Sequence, residues 1–247
     1  MIKLFNGDCL EVMKDIPDKS VDAIICDLPY GTTVCEWDIV IPFDDLWEQY
    51  KRIRKPNTPI ILFGIEPFSS YLRVSNIDEY KYELYWEKER ATNIFQLKYR
   101  PGKVIETISV FYKNQCTYNP QMYEYTGVRR VNTVKDGKLG LLVGGGTVKP
   151  YEYNDTGERY PLQIVSFKRD ILTSNLHPTQ KPLALMEYLV RTYSNEGDLI
   201  LDNCMGSGTT GLACLKNNRN FIGIEKEEKY FKIAKERMEQ PTEVSLF

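Results

Sequence analysis

The sequence of 247 residues contains a single histidine, His177, and its six cysteines form no Cys-x-x-Cys pair. Zinc sites in proteins are usually built from closely spaced pairs of cysteine and histidine. This spacing therefore gives no support for a metal site. We expect the cysteines to be reduced, buried thiols.

Long apolar runs are also missing, since none approaches the roughly 18 residues that a membrane-spanning helix needs. The first residues, MIKLFNGD, lack the charged, apolar and small-residue order of a signal peptide. We therefore expect a cytoplasmic protein without membrane contact. The chain is long enough to bury one sizeable core, which predicts one globular unit with an appended segment.

Charge is unevenly distributed along the chain, although the formal net charge is only −2. Residues 1–87 contain 9 basic and 16 acidic side chains, whereas residues 88–149 contain 11 and 4. Attraction to phosphates depends on nearby positive charge rather than on the total. The basic middle segment therefore predicts contact with a polyanion, with a solvated basic loop as the alternative.

Short apolar runs alternate with helical patterns in the first and last thirds of the chain, which predicts an α/β domain with a mostly parallel sheet. Strands covered on both faces are apolar nearly throughout, as are the runs VDAIICD, TPIILFG, DLILD and NFIGIE. The alternation in YKYELYWE and TISVFYK favours the sheet edge.

Helices are predicted from Pro182 to Gly197 and from Thr209 to about Asn217. Residues 120–160 follow neither the helical nor the strand period for long and are rich in glycine, tyrosine and basic residues. We therefore expect this segment to be an insertion outside the core sheet.

The sequence DNCMGSGTT, residues 202–210, directly follows a predicted strand and opens a predicted helix. Gly206 and Gly208 allow the backbone to turn tightly and approach a ligand. Glu225 follows at roughly the ~20-residue distance at which an acidic side chain meets ribose hydroxyls in nucleotide-binding folds. The dinucleotide and phosphate-loop motifs are both incomplete, which favours a ligand without phosphate, and an ordinary tight turn is the alternative.

A second motif, Asp27-Leu28-Pro29-Tyr30, ends the predicted strand VDAIICD, at the edge where α/β sheets bind ligands. An aromatic amine is a poor nucleophile because its lone pair is delocalised into the ring. Two acceptors drawing on its N–H bonds would free that lone pair, and Asp27 and the Leu28 carbonyl are the candidates. The ring of Tyr30, rather than its hydroxyl, would stack on a base turned out of a helix. An ordinary X-Pro turn is the alternative.

Together these motifs resemble the beta-class amino-methyltransferases of DNA, in which the catalytic tetrapeptide precedes the cofactor loop. The resemblance covers nearly the whole chain. Further matching pieces are Asn6-Gly7-Asp8, Trp37-Asp38, Glu106 ahead of ISVFYKN, Tyr160-Pro161 and, most specific of all, His177-Pro178-Thr179-Gln180-Lys181-Pro182.

This resemblance implies the Rossmann-like methyltransferase fold, with a mostly parallel seven-stranded sheet, and S-adenosylmethionine as cofactor. Asp8 would face the cofactor's adenine, Lys181 would neutralise its methionine carboxylate, and Glu225 would accept from its ribose. The full set of implied cofactor contacts is Asp8, Lys181, Asp202, Gly206, Gly208, Thr209 and Glu225. The implied catalytic residues are Asp27, Leu28, Pro29 and Tyr30.

The resemblance also implies a division of the chain. Residues 1–119 and 161–247 would form the catalytic and cofactor-binding parts of the methyltransferase domain, and residues 120–160 an inserted target-recognition region. The candidate DNA contacts are Arg129, Arg130, Lys135, Lys138 and Lys149, which sequence does not sort into phosphate and base contacts. The expected partner is double-stranded DNA, with a second copy of the chain and a cognate restriction nuclease left open.

An initial aspartate in the tetrapeptide resembles enzymes that methylate adenine N6, so adenine is the predicted acceptor, with cytosine N4 as the alternative. Methylation of cytosine C5 is disfavoured, because it needs an attacking thiolate and the chain has no Pro-Cys dipeptide. Leu28 replaces the family's usual first proline, but Pro29 still restricts it to extended conformations. Three further alternatives are an inactive DNA-binding relative, a methyltransferase of RNA or protein amides, and, disfavoured by the missing third glycine, a nicotinamide-dependent oxidoreductase.

Overall fold

The computed structural model describes residues 1–33, 35, 37–125, 133–134, 137–138, 147–148, 151–152, 157–170 and 180–239. Contacts divide the chain into two units, one of Met1–Asn119 with Leu162–Phe247 and one of Pro120–Pro161. Of the predicted DNA contacts, Lys138 belongs to a two-residue strand, whereas Arg129, Arg130, Lys135 and Lys149 lie outside the described residues. His177 also lies outside them.

The described strands, in chain order, are β1 Ile2–Asn6, β2 Ala23–Cys26, β3 Ile60–Gly64, β4 Tyr80–Glu87, β5 Ile105–Phe111, β6 Tyr123–Glu124, β7 Thr133–Val134, β8 Gly137–Lys138, β9 Thr147–Val148, β10 Tyr151–Glu152, β11 Glu158–Arg159, β12 Ile164–Ser166, β13 Leu199–Asp202 and β14 Asn220–Glu225. The described helices are α1 Cys9–Met13, α2 Phe43–Ile53, α3 Phe68–Ser75, α4 Leu183–Tyr193, α5 Thr209–Lys216 and α6 Glu228–Glu239, with a 3-10 helix at Ile94–Gln96.

The main sheet has the strand order β1-β14-β13-β2-β3-β5-β4-β12. Strand β5 is antiparallel to both of its neighbours, and every other neighbouring pair is parallel. The predicted α/β class with a mostly parallel sheet is therefore confirmed. Within the described residues the strand count is eight rather than seven, because β12 pairs with β4 and takes the edge position that the sequence predicts for β4 and β5. Three residues are too short a segment to give a strand pattern.

Side chains of the central strands alternate between two apolar layers, which explains why their sequences are apolar throughout. Ala23 and Ile25 of β2 pack in the layer of α4, α5 and α6, whereas Ile24 and Cys26 pack in the layer of α1, α2 and α3. Fully burying a side chain such as Ile25 contributes about 1.5–3 kcal/mol. All six cysteines are unpaired thiols, and four of them are buried.

The strands that run in the common direction place their carboxyl ends at one edge of the sheet. Asp27 follows β2 there, and Asp202 and Glu225 are the last residues of β13 and β14. Because β5 runs in reverse, its beginning, with Glu106, lies at this edge as well. Within the described part of the chain, no helix combines the length and apolar character needed to cross a membrane.

Candidate active site

A cavity of about 290 Å³ opens at this edge. The whole tetrapeptide from Asp27 to Tyr30 lines it, together with most of the loop after β13. The fold therefore brings together two motifs that are far apart in sequence. The other predicted cofactor residues on the cavity wall are Asp8, Lys181, Asp202, Gly206, Thr209 and Glu225.

Glu225 lies at the cavity with a fixed carboxylate. One of its oxygens accepts from the Gly206 backbone N–H at 2.9 Å and the other from the Glu227 backbone N–H at 2.8 Å. Burial raises the pKa of Glu225 above its ordinary value, and these two bonds partly oppose the rise. Each carboxylate oxygen has a second lone pair, so the side chain is positioned to accept from a pair of hydroxyl groups.

Asp202 is almost fully buried where β13 ends. Its carboxylate accepts from the Thr210 hydroxyl at 2.5 Å and from the Cys204 backbone N–H at 3.1 Å. Burial raises the pKa of Asp202 to about 7, although the bond from Thr210 opposes the rise. Thr210 lies in the first turn of helix α5, so the start of the helix also fixes the carboxylate.

Asp8 is exposed and does two things. Its side chain caps helix α1 by accepting from the Leu10 backbone N–H at 3.0 Å, and its other oxygen pairs with Lys226 at 3.3 Å. It also lines the cavity. The N-cap thus holds in place an acceptor that faces the cavity.

Gly208, a predicted cofactor contact, packs against helix α6 in this structure. Gly208 has φ of +79° and does not line the cavity. A Cβ at this position would lie 2.5 Å from Met238 Cε and 2.9 Å from Ala234 Cβ, both on helix α6. The absence of a Cβ at Gly208 therefore allows α5 to pack closely on α6.

Asp27 and Tyr30 are joined by a hydrogen bond from the Tyr30 hydroxyl to Asp27 Oδ1. The same hydroxyl also donates to Glu106 Oε1 at 3.1 Å. The Tyr30 ring packs on Phe68 with a centroid distance of 5.0 Å. The hydroxyl therefore has a structural role that a purely stacking tyrosine does not explain.

Lys181 lies at the catalytic end of the cavity. Its ammonium pairs with Asp27 Oδ2 and, at 2.9 Å, with Glu106 Oε1. It also lies 5.0 Å from the centroid of the Phe63 ring. The predicted partner of Lys181 is the cofactor's carboxylate, but in this structure its partners are two carboxylates of the chain itself.

Glu106 links these groups to a second cation, because its other oxygen pairs with Lys88 Nζ at 2.6 Å. Lys88 in turn lies 4.8 Å from the centroid of the Trp86 ring. We call Asp27, Tyr30, Lys88, Glu106 and Lys181 the ionic cluster. Its two carboxylates and two ammonium groups balance in charge, which reduces the cost of their burial.

The pKa values in the ionic cluster follow from burial and from these pairs. Burial is the largest influence on Asp27 and, with the charge of Glu106, keeps the pKa of Asp27 raised in spite of Lys181. Burial acts upward on Glu106 too, but Lys181 and Lys88 bring the pKa of Glu106 down to about 2. Burial and the two carboxylates hold the pKa of Tyr30 well above its usual value, so its hydroxyl remains a donor.

The loop after the tetrapeptide is held by one buried carboxylate. Asp38 accepts from the backbone N–H groups of Tyr30 and Gly31 at 2.8 and 2.9 Å, and from those of Thr32 and Thr33 at 2.9 and 2.7 Å. Burial acts upward on its pKa, but the bonds from Thr33 and the neighbouring N–H groups lower the pKa of Asp38 overall. These four hydrogen bonds to Asp38 restrict the backbone close to Leu28, the residue that replaces the family's usual first proline.

Three residues of this site have no role predicted from the sequence: Lys88, Glu106 and Asp38. Glu106 and Asp38 enter the sequence resemblance only as parts of matching motifs. A signal is present for Glu106, since it is the only charged residue of strand β5. The sequence contains no such signal for Lys88, because nothing distinguishes it from the other basic residues of its segment.

Comparison with known proteins gives a consistent result. The sequence model of the N6/N4 DNA methylases matches residues 21–236. DNA adenine methyltransferase YhdJ of Escherichia coli is 28% identical over 251 residues, which cover 96% of this chain and 82% of YhdJ. Type II methyltransferase M.HinfI of Haemophilus influenzae is 27% identical, covering 96% of this chain and 68% of M.HinfI.

Solved structures show the same fold. The complex of M1.HpyAVI with S-adenosylmethionine has a TM-score of 0.65 and 28% identity, covering 96% of this chain and 99% of that one. The cytosine-N4-specific PvuII DNA methyltransferase has a TM-score of 0.66 and covers 98% of this chain and 90% of its own. Its identity is 17%, so this likeness concerns the fold alone.

Proposed function

The chain belongs to the N6/N4 DNA methylase family and transfers methyl groups from S-adenosylmethionine to DNA, and on this premise we propose that its acceptor is N6 of an adenine turned out of the duplex. One observation carries the proposal. The Asp27-Leu28-Pro29-Tyr30 motif and the loop after β13 line one cavity, with Glu225 on its wall. An acceptor amine and a methyl donor can therefore meet in a single space.

The residues of the cavity suit the cofactor. Glu225 offers two fixed carboxylate oxygens to the ribose hydroxyls, Asp8 offers a capped carboxylate, and Gly206 and Thr209 form the wall after β13. S-adenosylmethionine supplies a methyl group activated by a sulfonium. We assign Asp8, Asp202, Gly206, Thr209 and Glu225 to its binding, without Gly208.

Asp27 acts on the acceptor amine. Each of its oxygens accepts one hydrogen bond within the ionic cluster, which leaves each a further lone pair for an amine N–H. Drawing on that N–H bond favours a tetrahedral nitrogen, whose lone pair can form the new N–C bond. The amine loses one proton in the reaction, and the raised pKa of Asp27 suits it to accept that proton.

Tyr30 and the Leu28 carbonyl complete the acceptor site. The Tyr30 ring would stack on the extruded base, which is worth on the order of 1–3 kcal/mol in single-strand binding sites. Leu28 is held extended by Pro29, so its carbonyl serves as the second acceptor for the amine. Lys181 keeps Asp27 ionised against the cost of burial.

Adenine is favoured over cytosine by the aspartate that begins the tetrapeptide and by the similarity to YhdJ, which is named as an adenine methyltransferase. Cytosine N4 is the alternative acceptor and would use the same mechanism. An enzyme of this kind would work in the cytoplasm on double-stranded DNA, with residues 120–160 as the target-recognition region. A second copy of the chain would extend a short recognition surface, and a cognate restriction nuclease would recognise the same DNA sequence.

The first test is to express the protein in a host without other DNA methylation, sequence the DNA and digest it for mass spectrometry of the nucleosides. We expect N6-methyladenine at one sequence. N4-methylcytosine would change the acceptor and keep the mechanism, whereas 5-methylcytosine or unmodified DNA would contradict the proposal.

The second test is Asp27→Ala in single-turnover methyl transfer. The rate should fall while the affinity for S-adenosylmethionine, measured by calorimetry, changes little, because Asp27 acts on the amine as it becomes tetrahedral. A matched control is Asp22→Ala, which removes an aspartate paired with Lys55 away from the cavity. An unchanged rate for Asp27→Ala would remove it from the mechanism.

A further inference from the structure

The segment between β4 and β5, residues 88–104, exposes several large apolar side chains. Phe95 is 92% exposed and Tyr99 is 87% exposed. Ile94 and Leu97, on the same turn of chain, are more than half exposed. Surface apolar groups are ordinary when scattered, but several on one loop indicate a contact surface. We call residues 88–104 the β4–β5 loop.

The β4–β5 loop is ordered by hydrogen bonds between its own residues. The Thr92 N–H donates to the Lys103 carbonyl at 3.0 Å, and the Lys103 N–H donates to Asn93 Oδ1 at 2.6 Å. The Asn93 amide donates to the Pro101 carbonyl at 3.0 Å, which closes the base of the loop. Phe95 lies in the 3-10 helix at the far end of this closed loop. The backbone therefore holds the apolar side chains outward.

Charge on the β4–β5 loop favours a polyanion. The loop has one acidic residue, Glu89, which pairs with Arg169 at 3.3 Å. Its basic residues other than Lys88 form no ion pair with any described carboxylate; they are Arg90, Lys98, Arg100 and Lys103. Arg100 donates to the Gln96 side-chain oxygen, which leaves its positive charge uncompensated. Positive side chains without a described carboxylate partner, beside exposed aromatic rings, suit phosphates together with base faces.

The loop also begins at the active site. Lys88, its first residue, pairs with Glu106, and Glu106 shares Lys181 with Asp27. Any duplex whose base reaches Asp27 must therefore pass close to the point where this loop leaves the sheet. A base turned out of a duplex leaves a gap in the stack, and proteins that deform DNA commonly insert an apolar side chain between base steps.

From these observations, and resting on the proposed function, we propose that the β4–β5 loop is a DNA-inserting element: Phe95 fills the gap left by the extruded base, and Lys98 and Arg100 hold the adjoining phosphates. Tyr99 lies beside them on the exposed face of the loop. Residues 120–160 then read the sequence, whereas this loop stabilises the opened duplex whatever the sequence around it.

The test uses a short duplex with the sequence found methylated in the host DNA and 2-aminopurine in place of the target base. Phe95→Ala should weaken binding about tenfold and reduce the fluorescence rise that reports extrusion, since stacking contributes ~1–3 kcal/mol per base. Phe95→Leu, which keeps an apolar wedge, should retain most of the binding. The matched control is Tyr71→Ala, an aromatic residue 66% exposed on α3 outside the loop.

A duplex with a pyrene nucleotide opposite the target sharpens the test, because pyrene itself fills the gap. It should restore Phe95→Ala to within about twofold of the wild type, since the missing stacking of ~1–3 kcal/mol is then supplied by the DNA. The Lys98→Ala, Arg100→Ala double variant should flatten the slope of log affinity against log salt by roughly 0.9 for each phosphate that the variant no longer neutralises.

Failure of this inference differs from failure of the proposed function. A wild-type protein that transfers no methyl group to DNA would contradict the function itself. An active wild type with Phe95→Ala behaving like Tyr71→Ala would overturn only the inserted wedge. Weakened binding without rescue by pyrene would overturn it as well. A difference in sedimentation between the Phe95→Ala variant and the wild type, both without DNA, would also overturn the wedge. The loop would then be a contact between copies of the chain.

Discussion

The two ends of the cavity hold their carboxylates in different ways. At the cofactor end, Asp8, Asp202 and Glu225 accept from backbone N–H or hydroxyl groups within 2 to 19 residues in sequence. The distant partner of Asp8, Lys226, forms only an exposed ion pair with it. At the catalytic end, Asp27 is held by the side chain of Lys181, 154 residues away. Hydrogen bonds between residues that are near in sequence need only the local backbone conformation. The ionic cluster, in contrast, forms only when distant strands have assembled into the sheet. Removing one partner should therefore cost far more at the catalytic end.

The largest effect is expected for Lys181→Met. The buried Glu106 and the partly buried Asp27 would lose their shared cation, and breaking a buried pair costs about 3–5 kcal/mol in the free energy of unfolding. Single-turnover methyl transfer should fall on the order of a hundredfold, as when a fixed donor is removed from other active sites. Urea denaturation and rapid-quench transfer measure the two quantities.

The matched control is Lys55→Met, because Lys55 pairs with Asp22 at 2.6 Å but is 45% exposed. An exposed pair of this kind contributes about 1 kcal/mol or less. If Lys181→Met kept the stability and rate of the wild type and lost only affinity for S-adenosylmethionine, Lys181 would belong to the cofactor end, as the sequence predicts.

A pH-dependent effect of up to about 4 kcal/mol is expected at Asp202, from a shift of roughly three pH units. The folded pKa of Asp202 is about 7, against an ordinary 3.8. Between these values the folded protein binds the extra proton, so this group lowers stability as pH rises through that window. Asp202→Asn removes the dependence, and its melting temperature relative to the wild type should rise from pH 4 to 7 and then level off. A constant difference would contradict the raised pKa.

A smaller effect is expected for Gly208→Ala. The positive φ costs ~1–2 kcal/mol for a residue with a Cβ, and the close approach to Ala234 adds to it. Gly197→Ala is the control, because Gly197 has φ of +84° with no atom within 4 Å of its Cβ position. The difference between the unfolding free energies of the two variants, measured by urea denaturation, gives the contribution of packing on α6. Weaker cofactor binding at unchanged stability would return Gly208 to the cofactor end.

The smallest effect is expected for Tyr30→Phe. Its hydroxyl bridges Asp27 and Glu106, and a hydrogen bond of this kind contributes about 1 kcal/mol, or roughly fivefold in the transfer rate. The stacking ring is kept, so binding of the extruded base should not change. Tyr82→Phe is the control, since it removes a hydroxyl paired with Tyr193 outside the cavity. An unchanged rate would support the view that only the ring of Tyr30 matters.

The same contrast explains what the sequence predicts and what it does not. The central strands, helix α4 after Pro182 and the two cavity motifs follow from local periodicity and turn residues. The pairing of Lys88 with Glu106 depends on β4 and β5 lying side by side, which no local pattern specifies. The packing of Gly208 against helix α6 is not specified by a local pattern either, because α6 comes from a later part of the chain.

Because β5 runs in the reverse direction, the segment that joins β4 to β5 is a hairpin loop outside the core sheet. A hairpin between β4 and β5 can lengthen, shorten or change its residues while the pairing of Glu87 with Ile105 at its base stays the same. A crossover connection between parallel strands has no such freedom, because its helix is part of the core. Residues 89–103 could therefore be exchanged for the corresponding loop of a homologue without a change in the sheet that carries the active site.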